Sequence, residues 1–157
     1  MSQEHVVVSL TLERLWQFSL RYYGVREVKD ACLALQNNYH GNVNLLLLLK
    51  WLDEQHISIH ENDWNKVVDS IIRSDVLINN YREHRRKLKP HLPDSLYREA
   101  LHFELQLEKQ QQSDLVECIN GIHLLNQQTM PLTFKYCKQL GAEHLYCAFS
   151  STSISSR

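Results

Sequence analysis

Apolar side chains return every three or four positions along most of this chain, the spacing of one face of an α-helix. From Leu10 to Tyr23 the stripe is Leu12, Leu15, Trp16, Ser19, Tyr22 and Tyr23, and Gly24 closes it. A second stripe, Val28, Ala31, Cys32, Leu35 and Tyr39, predicts a helix over 26–38. Asn42 is a good N-cap for a third helix, Val43 to Gln55. That helix is apolar nearly all round (Leu45 to Leu49, then Trp51 and Leu52), so it should be central, with neighbours on several sides.

Ser58 and Glu61 have capping-box spacing, which predicts a helix start at Ser58. The pattern Val67, Ile71, Ser74, Ile78, Tyr81, Arg85, Leu88 carries the helix to about Lys89, with a break expected near Ser74. Pro90 to Asp94 makes a tight reversal, with Asp94 as the next N-cap. A further helix covers Ser95 to Gln112, and Leu115, Cys118 and Ile119 can extend it to Gly121. The short loop implies that these two long helices lie antiparallel and adjacent. A last helix, Leu132 to Leu140, ends at Gly141. The expectation is an all-α, compact single-domain bundle of about five to seven helices with a central apolar helix. It spans residues 1–147, followed by a Ser-rich disordered tail at 148–157. There is no internal repeat.

Composition narrows this picture. With only four glycines and three prolines, the chain lacks the turn chemistry for the many reversals of a β-sandwich or barrel. Gly24, Gly41, Gly121 and Gly141 fall between helical segments, where a turn or C-cap calls for positive φ. A chain of 157 residues buries roughly 70% of its unfolded surface, enough for a core without staples. Trp16, Trp51 and Trp64 are expected core anchors. Cys32, Cys118, Cys137 and Cys147 form no C-x-x-C pair and, without a signal segment, read as reduced thiols of a cytoplasmic protein. The longest apolar run is interrupted by Lys50 and falls short of a membrane span. A net charge of −1 leaves electrostatic function to local patches.

Three stretches carry more specific information. Gly24, Val25, Ala31, Cys32, Leu33, Leu35 and Gln36 read G-V-x(5)-A-C-L-x-L-Q. Asn42 to Leu47, then Trp51 and Leu52, read N-V-N-L-L-L followed by W-L. Arg82 to Lys89 reads R-x-x-R-R-x-L-K, with Glu104 and Glu108 beyond it. Together, over about residues 10–110, they resemble an uncharacterised, mainly proteobacterial family of conserved hypothetical proteins known only as a domain of unknown function. The chain departs from that pattern at Asn80-Tyr81-Arg82, where the family has Pro-Leu-Arg, and at Asn42, where it has Asp. The resemblance implies a bacterial, cytoplasmic helical unit and brings no activity with it.

The candidate chemistry gathers in the same stretches. Arg82, His84, Arg85, Arg86, Lys87 and Lys89 form a basic run at a helix end. One reading is binding of an anion, whether RNA, DNA or a phosphate-bearing ligand. The other is structural, because cations are favoured at a helix C-terminus and the antiparallel partner carries Glu99, Glu104 and Glu108 for ion pairs. Asn42 and Asn44 open the most apolar helix, where free N–H groups could hold an anion, or where the two amides simply cap and crosslink helices. His56 and His60 have zinc-ligand spacing only if one helix runs through both, which Ser58 argues against, so no metal is expected. Cys32–His40 and Cys118–His123 are conceivable nucleophile–base pairs, but lone thiols on apolar stripes are usually inert. Glu104 and Glu108 lack the Glu-x-x-His partners of a di-metal bundle.

No hydrolase elbow, phosphate loop, metalloprotease or dinucleotide motif is present, and no cofactor is expected. The leading expectation is a non-enzymatic helical module acting through an unidentified protein partner. The alternatives are a small anionic-ligand binder or enzyme using Arg82, Arg86 and the Asn42/Asn44 helix start, and nucleic-acid binding through Arg82–Lys89. No membrane partner is expected, and the pattern leaves the oligomeric state open.

Overall fold

The computed structural model describes residues 5–6, 8–127 and 129–150. Within them the fold is all-α, with eight α-helices and one small sheet. Helix α1 (Leu12–Tyr23) is N-capped by Thr11, whose side chain accepts from Arg14 N. Helix α2 (Arg26–Tyr39) follows, then α3 (Val43–Glu54), where Asn42 Oδ1 accepts from Leu45 N at 2.8 Å. Every residue of α3 from Asn44 to Leu52 is buried. The all-round apolar helix is therefore central, packed by α1, α2, α6 (Asp94–Asn120) and α7 (Leu132–Gln139).

The sheet was not visible in the sequence pattern. Its strands β1 (His5–Val6), β2 (Ile57–Ile59) and β3 (Leu124–Asn126) are two or three residues long, too short to show alternation. β3 is central and pairs antiparallel with both neighbours, Ser58 facing Leu125. Ser58 is thus a strand residue rather than a helix start. The next helical turn, Glu61–Asp63, is capped instead by His60 Nδ1, which accepts from Asn62 N.

The long helix expected up to Lys89 breaks earlier than Ser74. Helix α4 (Trp64–Asp69) ends at Ser70, whose hydroxyl donates to Val67 O at 2.6 Å and so competes with the helical ladder. Ile71 leaves the helical conformation to bury its side chain, and α5 (Ile72–Leu88) begins. The turn at Lys89–His91 reverses the chain into α6, the predicted antiparallel hairpin. Pro93, in extended conformation, is the N-cap of α6, and Asp94 is its first residue with no capping bond. At 27 residues, α6 is the extended version of the predicted helix, about 40 Å long.

Of the four glycines only Gly141 has positive φ, 74°. The left-handed residue that ends α2 is His40, at φ 58°. Gly41 is required for space: a Cβ there would lie 2.6 Å from Leu35 Cγ and 2.9 Å from Leu140 Cδ1. Helix α8 (Tyr146–Ser150) draws part of the expected tail into the fold. Phe149 is fully buried, and its carbonyl accepts from Tyr22 Oη and Lys50 Nζ. Residues 151–157 of that tail lie outside the described residues.

Candidate functional site

The α5–α6 hairpin meets the bundle along only part of its length. Buried apolar residues on α6 begin at Leu115, and α5 buries Ile78 alone. Where the hairpin leaves the bundle, a cleft of about 420 Å³ opens between it and the α1–α2 pair, with the start of α3 at its base.

One wall of the cleft is an ion-pair array. Arg82 Nε donates to Glu104 Oε2 at 3.2 Å, and its Nη2 to Glu108 Oε2 at 2.5 Å. Arg85 Nε donates to the other Glu104 oxygen, and its Nη1 to Tyr97 Oη at 2.8 Å. Glu104 is buried, with 12% of its side chain exposed, and both guanidinium groups are nearly as covered. Burial acts to lower the Arg85 pKa, but the hydrogen bonds with Glu104 and Tyr97 outweigh it and hold the group above its ordinary value. For Glu108 burial dominates and pushes the carboxyl up, against the pull of Arg82. The internal ion-pair reading of the basic run therefore describes Arg82 and Arg85. Lys87 reaches Glu83 at the surface, and Lys89 lies over the Tyr97 ring. Arg86 lines the cleft without a carboxylate partner among the described residues. With Arg82 and Arg85 neutralised, the run does not present a continuous cationic strip to a nucleic-acid backbone.

The base of the cleft is a network of four amides. Asn42 Nδ2 donates to Asp75 Oδ1 (2.7 Å) and Gln111 Oε1 (3.2 Å). Asn44 Nδ2 donates to Gln111 Oε1 (2.9 Å) and the Glu108 carbonyl (3.2 Å). Gln111 Nε2 donates to Ser74 Oγ, and Gln112 Nε2 to Ser19 Oγ and Asn44 Oδ1. Asn42 thus caps α3 and ties it to α5 and α6, and Asn44 ties it to α6. Gln111, Gln112 and Asp75 were not singled out from the sequence as site residues, and Ser19 and Ser74 stood out only as positions on helical stripes. A local signal for the two glutamines exists in the polarity of Gln110 to Gln112 within an otherwise apolar helical pattern.

His56 and His60 do not share a helix. His56 adopts left-handed φ on one side of β2, and His60 uses Nδ1 to cap the following turn. Among the described residues no group of three or more His, Cys, Asp or Glu is placed to hold a metal ion. Cys32 is fully buried, and burial pushes its thiol up to about 12. Cys118 Sγ contacts the Lys66 carbonyl. Asp53 accepts from Leu132 N, Thr133 N, Thr133 Oγ1 and Gln127 Nε2, capping α7 from the end of α3. Trp51 is buried and Trp64 packs on the core, whereas Trp16 is half-buried on the cleft wall rather than anchoring the core.

A family model described as a protein of unknown function (DUF2390) matches residues 14–115, which take in both walls and the base of the cleft. The chain belongs to this family. No curated protein and no solved structure matches it. The DUF2390 segment ends at Leu115, the first fully buried apolar residue of α6, so β3, α7 and α8 lie outside it. Among the described residues no helix is long and apolar enough to cross a membrane.

Proposed function

We propose that this DUF2390 chain is a non-enzymatic, cytoplasmic protein-interaction module whose contact surface is the outer side of the α5–α6 hairpin. One observation carries the reading. Ten large apolar side chains are exposed among the described residues, and seven of them lie on the hairpin: Ile72, Val76, Leu77, Leu96, Leu101, Phe103 and Leu105. On helical geometry Leu96 and Phe103, seven residues apart, share one side of α6, turned away from Leu105 at the cleft. Tyr81 of α5 meets Phe103 on that side (ring centroids 5.4 Å), and Leu77 lies one turn before Tyr81. Leu77 and Phe103 are 59% and 49% exposed. Contiguous exposed apolar surface on a soluble fold marks interaction sites, and aromatic residues are enriched at such contacts. The matching partner is a protein that offers an apolar face of its own. Four cysteines that form no disulfide among the described residues support a reducing setting.

The test is a tagged full chain beside the double variant Leu77→Ser/Phe103→Ser, compared by pull-down and light scattering. The expected result is a partner, or a second copy, retained by wild type and lost by the variant at unchanged melting temperature. Identical retention by both proteins would refute the surface.

A further inference from the structure

The cleft on the opposite side of the hairpin carries a separate inference, independent of any protein partner. Gln112 is fully buried, lines the cleft, and its Oε1 has no hydrogen-bond partner. A buried, unmet acceptor costs about 1–3 kcal/mol, so a native fold that keeps one calls for an account.

Turning the amide over does not remove the deficit. Gln112 Nε2 sits 2.9 Å from Ser19 Oγ and 3.1 Å from Asn44 Oδ1. The Ser19 hydroxyl hydrogen is committed to the Leu15 carbonyl, so toward Gln112 that oxygen accepts. Asn44 donates both its amide hydrogens elsewhere, to Gln111 Oε1 and the Glu108 carbonyl. A flipped Gln112 would set oxygen against two acceptors. The neighbouring side chains therefore fix Oε1 as an acceptor; that atom is closed to solvent in this structure, so a donor from the cleft reaches it only as the Gln112 amide or a neighbouring side chain shifts.

The charge of the lining gives the second element. Lys29, Arg82, Arg85 and Arg86 face it, against Asp75, Glu104 and Glu108, four cations to three carboxylates and an excess of one positive charge. Arg82 and Arg85 are consumed by Glu104 and Glu108. Lys29, from α2, and Arg86, from α5, approach from opposite walls, and neither makes an ion pair among the described residues. The lining also has an apolar part, to which Trp16, Leu20, Leu33 and Leu105 belong. The volume of about 420 Å³ lies within the range of small-molecule sites.

We propose that the cleft binds a small organic acid, a carboxylate or phosphate ester, with an apolar body and an N–H or O–H donor. The donor meets Gln112 Oε1 at the base while the anion sits between Lys29 and Arg86.

Aromatic acids of matched shape test this on the full chain. Indole-3-acetate and indole-2-carboxylate supply donor, body and charge. Their N-methyl counterparts lack the donor, and the corresponding indole alcohols lack the charge. Binding is read by titration calorimetry and by the Gln112 side-chain amide resonances of the ¹⁵N-labelled protein. The N–H acids are expected to bind and shift those resonances, and N-methylation to weaken binding roughly tenfold, the scale of one unmet buried acceptor. Lys29→Gln/Arg86→Gln, both at exposed positions, should weaken the acids several-fold and leave the alcohols unchanged, with the fold intact by circular dichroism. Equal affinity for N–H and N-methyl acids would overturn the role of Gln112. Acid binding unmoved by the double variant would overturn the placement of the charge. If no acid binds at millimolar concentration, the acceptor is met by water and the proposal fails. None of these results bears on the Leu77–Phe103 face.

Discussion

The central helix α3 and the hairpin helix α5 are both regular helices, yet they are held by different forces. α3 is buried from Asn44 to Leu52 and is held chiefly by apolar contact, from Leu45 to Leu49 and at Trp51 and Leu52. α5, with 17 residues, buries only Ile78; two arginines, an asparagine-linked Asp75 and the Tyr81 hydroxyl on the Ala100 carbonyl tie it down. Helical periodicity alone does not tell where stabilisation comes from. In α3 removal of water from hydrocarbon does the holding, and any lost volume is felt. In the hairpin the ties are directional and interdependent, so the loss of one partner strands another. A region held in this way can leave its apolar side chains in water, which is what an interaction surface requires.

The contrast can be broken from either side. Glu104→Ala removes the carboxylate shared by Arg82 and Arg85 and should cost about 3–5 kcal/mol in urea unfolding, the scale of a broken buried ion pair. Native-state hydrogen exchange should then show the hairpin opening first; a cost below about 1 kcal/mol would mean that packing, not charge, holds it. Leu48→Ala, at a fully buried α3 position, should cost about 2–5 kcal/mol and lower protection throughout the molecule. Asp53→Ala leaves Leu132 N and Thr133 without their acceptor and Gln127 with the Ile57 carbonyl alone, and should cost about 1–3 kcal/mol, with the loss concentrated in α7.

Alkaline pH sharpens the core side of the comparison. The Cys32 thiol ionises near 9.0 when solvated, and burial pushes it up to about 12 in the fold. Its contribution is therefore complete below 9.0 and is lost as pH rises toward 12, because the unfolded chain releases its proton first. The stability difference between wild type and Cys32→Ala should move in the variant's favour across that window, read by denaturant unfolding at fixed pH. At neutral pH a maleimide should label exposed Cys147 and spare Cys32 until the chain unfolds. The smallest effect belongs to the hairpin surface. Leu77→Ser should change stability by no more than about 0.5 kcal/mol, and a larger loss would show that Leu77 is a structural residue.

Much of this architecture was legible in order along the chain. α2, α3 and α7 begin at the residues expected of them and end within one residue of expectation, because apolar spacing and the Asn42 cap are local signals. Ser58 shows where local signals fail: its capping-box spacing with Glu61 is overridden by pairing with Leu125, far along the chain. Ile71 shows the same from the other direction, since a buried position ends the helix ahead of the more polar Ser74. The Arg82–Glu104 contact was accessible in principle, because a short turn between helices forces an antiparallel register. That Arg85 rather than Arg86 shares Glu104 depends on the rotation of α5 about its axis, which no pairwise spacing encodes.

The sequence by itself determined that the chain is helical, that α3 is central, and that α5 and α6 fold back on each other. These follow from the 3.6-residue repeat and from short connections. Only the tertiary structure decided which polar groups meet. Gln112 binds Ser19 and Asn44 across 93 and 68 positions, and Asn42 binds Asp75 across 33. A glutamine on a helix has the same local signature whether it faces water or a buried acceptor. The difference lies in what other helices bring beside it, and that depends on how whole elements pack.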